Sequence, residues 1–267
     1  MRCLGIVDWG IGGIDFARKF HKAFPQVQTI YLSDSGFTPY GKLADVDLRR
    51  RLAHLVEILA ERGASHVVIA CNAASTTLSD DKSEAINQAV DTSFGLPCIG
   101  VIQPTLAVLR KLPKSQAPVL VLGGKRTIDS GIYQQGLEDA GLACIAKIAQ
   151  PLSALVERGV TSGAELLATL GEILGDDLPT IATLVPACTH YMAILPALTK
   201  ITKPSFVIDP AAETLKYLSM HWRPAPIMGA DSKNPDIFLT TGSAEAMRLS
   251  AMSAFGFSMP SVSILSR

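Results

Sequence analysis

Short apolar runs alternate with amphipathic stretches along almost the whole chain, and this alternation constrains the fold more than any other feature. An amphipathic stretch at 45–62 predicts a long helix that ends before Gly63, and further helices are predicted at 13–23 and from about 74. Apolar strands that alternate with helices indicate parallel sheets with helices on both faces. The predicted strands are CLGIV (3–7), TIYLSD (29–34), HVVIA (66–70), PCIGVI (97–102), APVLVLGG (117–124), ACIAKI (143–148), TIATLVPA (180–187) and SFVIDP (205–210).

Composition limits the number of domains and the classes of partner. The 267 residues are 48% hydrophobic and 18% charged, which is enough for one large α/β domain or two smaller ones and argues against disorder. The formal net charge is zero, without a basic stripe, so neither nucleic acid nor an anionic membrane is an expected partner. The apolar run before Asp8 is too short for a signal-peptide core, and no run approaches the roughly 20 residues of a membrane span.

The five cysteines are odd in number, widely scattered and free of any CxxC spacing. This pattern argues against a disulfide framework and against a structural zinc site, and it favours the reducing cytoplasm. Prolines at 97, 104 and 210 interrupt the alternating pattern, so we expect domain boundaries near 98 and near 210.

Two distant segments share one plan. HVVIACNAAS and TLVPACTHYM each consist of an apolar strand, then Ala-Cys, then a polar helix start, which places Cys71 and Cys188 at equivalent strand ends. The carboxyl ends of parallel strands are where open α/β sheets bind ligands. We therefore expect both thiols at a ligand site, in two similar halves of the chain.

The chemistry of such thiols has a functional and a structural interpretation. A helix start beside a thiol is expected to lower its pKa, and two facing thiols can remove a proton from one face of a carbon and return one to the other. Buried cysteine is also a common packing residue, and that alternative stays open for Cys71 and Cys188 on the pattern alone. Cys3, Cys98 and Cys144 lie in or beside apolar runs and are interpreted as core residues.

Other polar residues lie near these thiols in sequence or at matching strand ends. Asp8 ends the first strand and is a candidate proton partner, although a turn Asp before a glycine-rich loop is an equal alternative. His190 is close enough to Cys188 for proton chemistry, and Glu157 is either a catalytic acid or a solvated helix residue. The turn at 39–41 is either an ordinary loop or a carboxylate site, and GIGG does not meet the GxGxxG fingerprint of dinucleotide binding.

Taken together, these segments resemble the glutamate racemases of the cofactor-independent aspartate/glutamate racemase superfamily. GIVDWGIGG is similar to the DSGxGG opening of that family, YLSDSGFTPYG to its YxxDxxxxPYG turn, and VVIACNAAS to its ACNTAS motif. PCIGVIQP, RTIDSGIY, PLSALVERG, ACTHYMAILPAL and TTGS follow in the same order. The resemblance covers nearly the whole length of the chain.

The resemblance implies a fold and a mechanism. It implies two similar α/β domains with parallel sheets flanked by helices, the first made of residues 1–98 completed by 211–267 and the second of 99–210, with the active site in the cleft between them. It implies racemisation at Cα by Cys71 and Cys188, a role in peptidoglycan biosynthesis, neither PLP nor metal, a small amino-acid or dicarboxylate-like substrate, and a possible homodimer. The implied supporting residues are Asp8 for Cys71, and His190 with Glu157 for Cys188.

The implied substrate site departs from the family pattern at several positions. Trp9 and Ala73 stand where the family has a Ser and a Thr, and Gly124 stands where a Thr is usual. Trp9 either fills part of the pocket, which predicts poor glutamate turnover and a smaller or less acidic substrate, or caps the core. A racemase fold that has lost turnover and binds a ligand or partner is the alternative function. The positions that match the substrate lining of the family are Pro39, Tyr40, Gly41, Asn72, Thr127 and Thr189, together with Trp9 and Ala73.

Overall fold

The strands that the structure describes form two sheets. A computed structural model describes residues 3–78, 90–114, 117–175, 178–222 and 236–265. The strands in these ranges are β1 (Cys3–Asp8), β2 (Thr29–Ser33), β3 (Ala64–Ile69), β4 (Val90–Asp91), β5 (Cys98–Gly100), β6 (Val119–Gly123), β7 (Cys144–Ile148), β8 (Thr183–Ala187), β9 (Phe206–Val207), β10 (Ile237–Thr240) and β11 (Ser263–Ile264).

Both sheets are essentially parallel, as the alternation of apolar runs and helices predicts. The first sheet has the order β11-β10-β2-β1-β3-β5-β4, in which only β4 runs antiparallel to its neighbour β5 among the strands described. The second sheet has the order β7-β6-β8-β9, and its pairs are all parallel. The predicted α/β class is confirmed.

Helices cover these sheets and connect their strands. They are α1 (Ile14–Ala23), α2 (Asp45–Glu61), α3 (Asn72–Ser75), α4 (Ile102–Leu109), α5 (Lys125–Asp129), α6 (Ile132–Asp139), α7 (Gln150–Glu157), α8 (Ala164–Leu174), α9 (Leu195–Thr202), α10 (Pro210–His221) and α11 (Ala244–Phe255), with 3₁₀ helices at Tyr40–Lys42 and Thr189–Ile194. Within the described ranges, no helix is both long enough and apolar enough to cross a bilayer.

The long helix α2 follows directly from its sequence pattern. Apolar residues recur at every third or fourth position and form one face, while Asp45 and Asp47 in the first turn complement the positive end of the helix. The helix ends two residues before Gly63, whose φ of 92° is a conformation that glycine adopts without strain. The face that packs on the first sheet consists of Leu48, Leu52, Leu55, Val56 and Leu59.

One apolar core joins the two sheets. A single buried cluster contains Leu4 and Ile6 of β1, Leu120 and Leu122 of β6, and Leu184 of β8. These side chains are fully buried, and burying an apolar side chain of this size stabilises the fold by roughly 1.5–3 kcal/mol. The loops at the carboxyl ends of the strands in both sheets are therefore anchored to the same hydrophobic core.

Candidate active site

Cys71 lies at the carboxyl end of β3, where it is the N-cap residue of the short helix α3. Its thiol is half-buried, and burial raises its pKa well above the ordinary value, as do the negative charges of Asp8 and Cys188. Backbone N–H groups of α3 oppose this shift but do not reverse it. The helix start therefore acts on this pKa in the expected direction, but burial of the thiol and the charge of Asp8 outweigh it.

Cys188 occupies the matching position in the second sheet, directly after β8, as the N-cap residue of the 3₁₀ helix Thr189–Ile194. Its Sγ lies 3.7 Å from Nδ1 of His190. Nε2 of the same ring lies 2.6 Å from Oε1 of Glu157, and this oxygen also accepts a hydrogen bond of 3.0 Å from the backbone N–H of Ile11. A chain of polar groups thus runs from the thiol to the loop that follows β1.

The surroundings of these polar groups favour the charged forms of both His190 and Glu157. Burial alone would lower the pKa of His190, but its contacts with Cys188 and Glu157 hold that pKa well above the usual value. Burial alone would raise the pKa of Glu157, but the contact with His190 and the N–H of Ile11 hold it below 4.5. The imidazolium therefore donates to the sulfur on one side and to the carboxylate on the other.

Asp8 links the two halves of the site. Its fully buried carboxylate accepts from the backbone N–H groups of Trp9 and Gly13 and, at 3.0 Å, from the hydroxyl of Thr189 in the second half. Burial raises the pKa of Asp8, and the charge of His190 together with these hydrogen bonds opposes the rise. The carboxylate therefore acts on Cys71 through its charge while it holds the loop after β1 against the 3₁₀ helix.

The glycines of GIGG permit close contact between the two halves of the chain. A Cβ on Gly10 would lie 2.0 Å from Oε1 of Glu157, and a Cβ on Gly12 would lie 2.2 Å from Oγ1 of Thr189. Neither position has room for a side chain. The glycine-rich loop that resembles part of a dinucleotide fingerprint is instead required for the approach of the Glu157 and Thr189 side chains.

The turn at 39–41 is held by a buried charge network. The carboxylate of Asp34 is fully buried and accepts from the Tyr40 hydroxyl at 2.9 Å, from the Thr241 hydroxyl at 2.9 Å and from two nitrogens of Arg51 at 2.6 and 2.9 Å. Pro39 accepts from the N–H of Lys42 and closes the turn. Gly41 is exposed, and a Cβ there would lie 4.0 Å from Oε1 of Gln150.

The half-buried Trp9 packs on the apolar cluster that underlies α2. Its indole N–H donates to the carbonyl of Phe37 at 3.1 Å, and the guanidinium of Arg51 lies 4.3 Å from the centre of the Phe37 ring. Trp9 is thereby fixed to the segment that carries the 39–41 turn. Its one hydrogen-bond donor is already used within the protein.

The surroundings of the other predicted substrate-lining residues Asn72, Ala73 and Thr127 differ. Oδ1 of Asn72 accepts from the Tyr133 hydroxyl at 2.8 Å, which joins α3 of the first half to α6 of the second. Ala73 is half-buried at the next position of α3. Thr127 is buried inside α5, and among the described residues no hydrogen bond of this site involves its side chain.

Arg126 is a residue of the site that the sequence pattern did not single out. From α5 in the second half, its guanidinium donates to the carbonyl of Ala73 at 3.2 Å, to the hydroxyl of Thr76 at 3.0 Å and to the carbonyl of Leu43 at 2.7 Å, and it pairs with Asp45. In the sequence, its position directly before the predicted site residue Thr127 was the one feature that could have indicated its role. Asp34 and Tyr133 were likewise missed as parts of this site. So were Tyr31, whose hydroxyl donates to the carbonyl of Gly10 at 2.7 Å, and Gln150, whose Oε1 accepts from the backbone N–H of Lys125 at 3.1 Å.

Two cavities adjoin these residues. A small one of about 10 Å³ lies behind Cys188 and is lined also by Asn72, Thr189 and Gly12. A larger polar one of about 420 Å³ opens between Gly41 and the helix α5. Within the part of the chain that the structure describes, there is no group of three or more His, Cys, Asp or Glu side chains able to hold a metal ion.

Comparison with known proteins identifies the family. A sequence profile described as Asp/Glu/Hydantoin racemase matches residues 4–218. The chain belongs to the Asp/Glu/Hydantoin racemase family. Its relatives include the glutamate racemase of Oceanobacillus iheyensis, which is 30% identical over 260 residues that cover 91% of this chain and 88% of the relative. The glutamate racemase of Aquifex aeolicus is 31% identical over 217 residues, which cover 80% and 81% of the two chains.

Solved structures of the family agree with the fold of this racemase. The crystal structure of glutamate racemase from Thermus thermophilus in complex with β-chloro-D-alanine superposes with a TM-score of 0.82 at 25% identity, over 99% of this chain and 97% of the other. The predicted membership of the Asp/Glu racemase family and the predicted enzyme class, an isomerase of the racemase type, are confirmed.

Proposed function

We propose that this chain is a cofactor-independent amino-acid racemase, similar to glutamate racemase, that inverts Cα by proton transfer at Cys71 and Cys188. The observation that carries the proposal is the Thr189–Asp8 hydrogen bond of 3.0 Å, which holds the 3₁₀ helix after Cys188 against the end of β1, the strand that pairs with β3 and so lies beside Cys71. The effect of the Cys188 charge on the pKa of Cys71 also supports the proximity of the two sulfurs. Residues 1–98 with 211–267 form one proposed domain and residues 99–210 the other.

In the proposed reaction, one thiolate removes the proton from Cα and the opposite thiol donates its own proton to the other face. The C–H bond breaks as an S–H bond forms, and the reverse exchange at the second sulfur completes inversion. An imidazolium at His190, 3.7 Å from the Cys188 sulfur, donates a hydrogen bond to that sulfur and places a positive charge beside it. The raised pKa of Cys71 favours its protonated form, which is the form that donates a proton.

The substrate that we propose is a small amino acid or a dicarboxylate-like compound, and the mechanism needs neither PLP nor metal. The proposed lining residues are Pro39, Tyr40, Gly41, Asn72, Thr127 and Thr189. Trp9, Ala73 and Gly124 alter this lining relative to the family pattern. Glutamate, which the names of the relatives give as their substrate, is therefore one member of the panel to be tested rather than the assumed substrate.

Solvent deuterium incorporation at Cα tests the proposal. Wild-type protein is incubated in D₂O with a panel of D- and L-amino acids, and exchange is followed by proton NMR. Cys71→Ser and Cys188→Ser are each expected to lower exchange at least about a hundredfold, since general acid–base groups contribute roughly 10²–10⁴ in rate. Cys144→Ser, at a free cysteine in β7, is the matched control and leaves exchange unchanged. Exchange that survives both active-site substitutions contradicts the two-thiol mechanism.

A second candidate function is ligand binding without turnover. It is favoured by the loss of hydroxyls at Trp9, Ala73 and Gly124, each of which removes a hydrogen bond worth on the order of 1 kcal/mol. A thermal-shift screen with D- and L-amino acids and small dicarboxylates separates the two candidates. Stabilisation by a ligand that never exchanges its α-proton supports binding alone, and exchange of that ligand excludes it.

The cellular compartment, the partners and the oligomeric state of the protein are also proposals. Among the described residues all five cysteines are free thiols, which is compatible with a reducing cytoplasm. We expect neither nucleic acid nor membrane as a partner, and a homodimer as the assembly. Sedimentation velocity at two protein concentrations tests the homodimer, and a single species of about 28 kDa contradicts it.

A further inference from the structure

The side chain of Gln150 lies where the two halves of the proposed site face each other. Gln150 begins α7, the helix that ends at Glu157. Its Oε1 accepts from the backbone N–H of Lys125 at 3.1 Å, and its Nε2 donates to the Ser153 hydroxyl at 3.2 Å. Because the Lys125 N–H needs an acceptor, the amide orientation is fixed with its oxygen toward α5 and its nitrogen away from it.

Two glycines from different halves border this oxygen. A Cβ on Gly124 would lie 2.8 Å from Oε1 of Gln150, so the amide occupies the space that a side chain at position 124 would enter. A Cβ on Gly41 would lie 4.0 Å from the same oxygen, and among the described residues no other atom outside its chain neighbours lies within that distance. The Gln150 carbonyl is thus the group that the 39–41 turn faces across the cleft.

Two hydrogen-bond donors near this position are engaged within the protein. The Trp9 N–H is donated to Phe37, and the Arg126 guanidinium is occupied by carbonyl, hydroxyl and carboxylate groups of the first half. Ala73 and Gly124 carry no hydroxyl. An acceptor oxygen in this position binds an N–H or O–H group and repels a carboxylate oxygen, because both would be acceptors.

We propose that Gln150 is a specificity-determining residue, and that the site accepts amino acids whose side chains end in a hydrogen-bond donor in preference to those that end in a carboxylate. This inference rests on the proposed racemase activity. It assigns the substrate class to neutral or donor-bearing side chains such as amides and hydroxyls. The amide of Gln150 occupies the space that a side chain at position 124 would enter. It offers an acceptor oxygen there, whereas a hydroxyl side chain would offer a donor.

Isosteric pairs of amino acids test this inference directly. Glutamine and glutamate, and likewise asparagine and aspartate, differ mainly in a donor NH₂ against an acceptor oxygen. For each pair, the ratio of kcat/KM for α-deuterium exchange is measured in wild-type protein, Gln150→Ala and Gln150→Glu. The matched control is Gln135→Glu, since Gln135 lies on the surface of α6 and donates to Asp139.

The expected wild-type ratio favours the amide by at least about tenfold in one pair or both. Gln150→Ala lowers that ratio about tenfold, and Gln150→Glu raises it, because a carboxylate at this position is a stronger acceptor. Opposite movements by two variants are not expected from a purely structural role. Circular dichroism and thermal unfolding confirm that each variant is folded.

The outcomes separate the two proposals. A wild-type preference for the carboxylate, or a ratio that neither Gln150 variant moves, overturns the role of Gln150 and leaves the racemase proposal intact. A shift of the kcat/KM ratio in Gln135→Glu that is as large as the shift in the Gln150 variants also overturns the role of Gln150, because the effect would then not be local. Absence of exchange with every amino acid in wild-type protein overturns the racemase proposal and this inference together.

Discussion

Cys71 and Cys188 are two thiols at equivalent strand ends with different electrostatic surroundings. Burial and the charge of Asp8 raise the pKa of Cys71, whereas Cys188 lies 3.7 Å from a histidine whose pKa is raised. The surroundings of Cys71 therefore favour its protonated form, whereas a positive charge lies beside the Cys188 sulfur. This asymmetry of single residues is what a proposed inversion at Cα requires in the resting state.

The His190–Glu157 pair is expected to make stability depend on pH. The folded pKa of His190 lies above 6.5, so its contribution is complete below pH 6.5 and is lost as pH rises through the folded pKa. The folded pKa of Glu157 lies below 4.5, so its contribution is present above pH 4.5 and is lost as pH falls through the folded pKa. Glu157→Gln should lower the unfolding free energy by about 1.5–3 kcal/mol at pH 5.5 and by less at pH 9.5.

Urea unfolding at these two pH values measures the difference. Glu165→Gln is the matched control, because Glu165 pairs with Arg158 on the surface and such a pair contributes roughly 0–1 kcal/mol. Equal and pH-independent losses in the two variants contradict the role of the buried pair.

Trp9 and Ala73 offer a second prediction for single residues. The Trp9 indole adds bulk beside the proposed site and has no donor left for a substrate carboxylate, since its N–H is bound to Phe37. Trp9→Ser together with Ala73→Thr should raise kcat/KM for glutamate at least about tenfold, which is roughly 1.4 kcal/mol of transition-state stabilisation. Steady-state racemisation of glutamate is the measurement, with Trp9→Phe as the control that retains an aromatic ring.

Two results would count against Trp9 as a specificity determinant. One is a folded double variant with unchanged glutamate kinetics. The other is wild-type protein that already racemises glutamate efficiently.

The residue types around the thiols were predictable, but the electrostatics of the site were not. The Ala-Cys pattern after an apolar run predicts the strand-end positions of Cys71 and Cys188, and both are found there. The sign of the pKa shift at Cys71 depends on burial and on Asp8, which belongs to a neighbouring strand. The local sequence shows the helix start, which lowers the pKa of Cys71. It does not show the burial of the thiol in the folded protein, which raises that pKa by more.

At the scale of elements, α5 connects the two halves through Arg126. This side chain reaches α3, the segment after the 39–41 turn and the start of α2. Its side chain is only 11% exposed, so these hydrogen bonds are largely shielded from water. The segments that carry Cys71 and Gly41 are thus held against the second half by one guanidinium.

Arg126→Gln should raise KM of the preferred substrate at least about tenfold with a smaller change in kcat. Without the guanidinium, the arrangement in which α3 and the segment after the 39–41 turn contact α5 is populated less often, and the apparent dissociation constant rises in inverse proportion to that population. Arg126→Lys should recover only part of the affinity, because an ammonium cannot reproduce the planar fork of a guanidinium.

Steady-state kinetics and thermal unfolding of the same variants test this role. Lys125→Gln is the matched control, since Lys125 precedes Arg126 in α5 but pairs with Asp129 of its own helix on the surface. A lowered melting temperature in Arg126→Gln with unchanged KM would assign Arg126 a purely structural role.

Elements with a strong local pattern were predicted closely, whereas those set by distant partners were missed. Helix α2 runs from Asp45 to Glu61 against a predicted range of 45–62, because its apolar spacing and Gly63 define both ends. Strand β10 was missed, since four residues give little pattern and its partner β2 lies about 200 positions earlier. Strands β4 and β11 have two residues each and carry no pattern of their own.

At the scale of the whole molecule, the chain leaves the first sheet after β5 and returns to it at β10. Strands β6 to β9 between these points form the second sheet, which supports the proposed division into 1–98 with 211–267 and 99–210. The two sheets nevertheless share buried side chains and polar contacts. The largest buried cluster contains side chains of both, and the Thr189–Asp8 and Arg126 contacts cross the same boundary.

We therefore expect the molecule to unfold in one cooperative transition, which a bound substrate shifts as a whole. A ligand at about one hundred times its dissociation constant stabilises the folded state by roughly 2.7 kcal/mol, or about 5 °C for a chain of this length. Differential scanning calorimetry with and without the preferred amino acid measures the shift. Two resolved transitions, of which the ligand moves only one, would show that the halves unfold separately and that the shared core does not couple them. A single transition that moves with ligand in wild-type protein, and moves less in Arg126→Gln at the same ligand concentration, is the expected result.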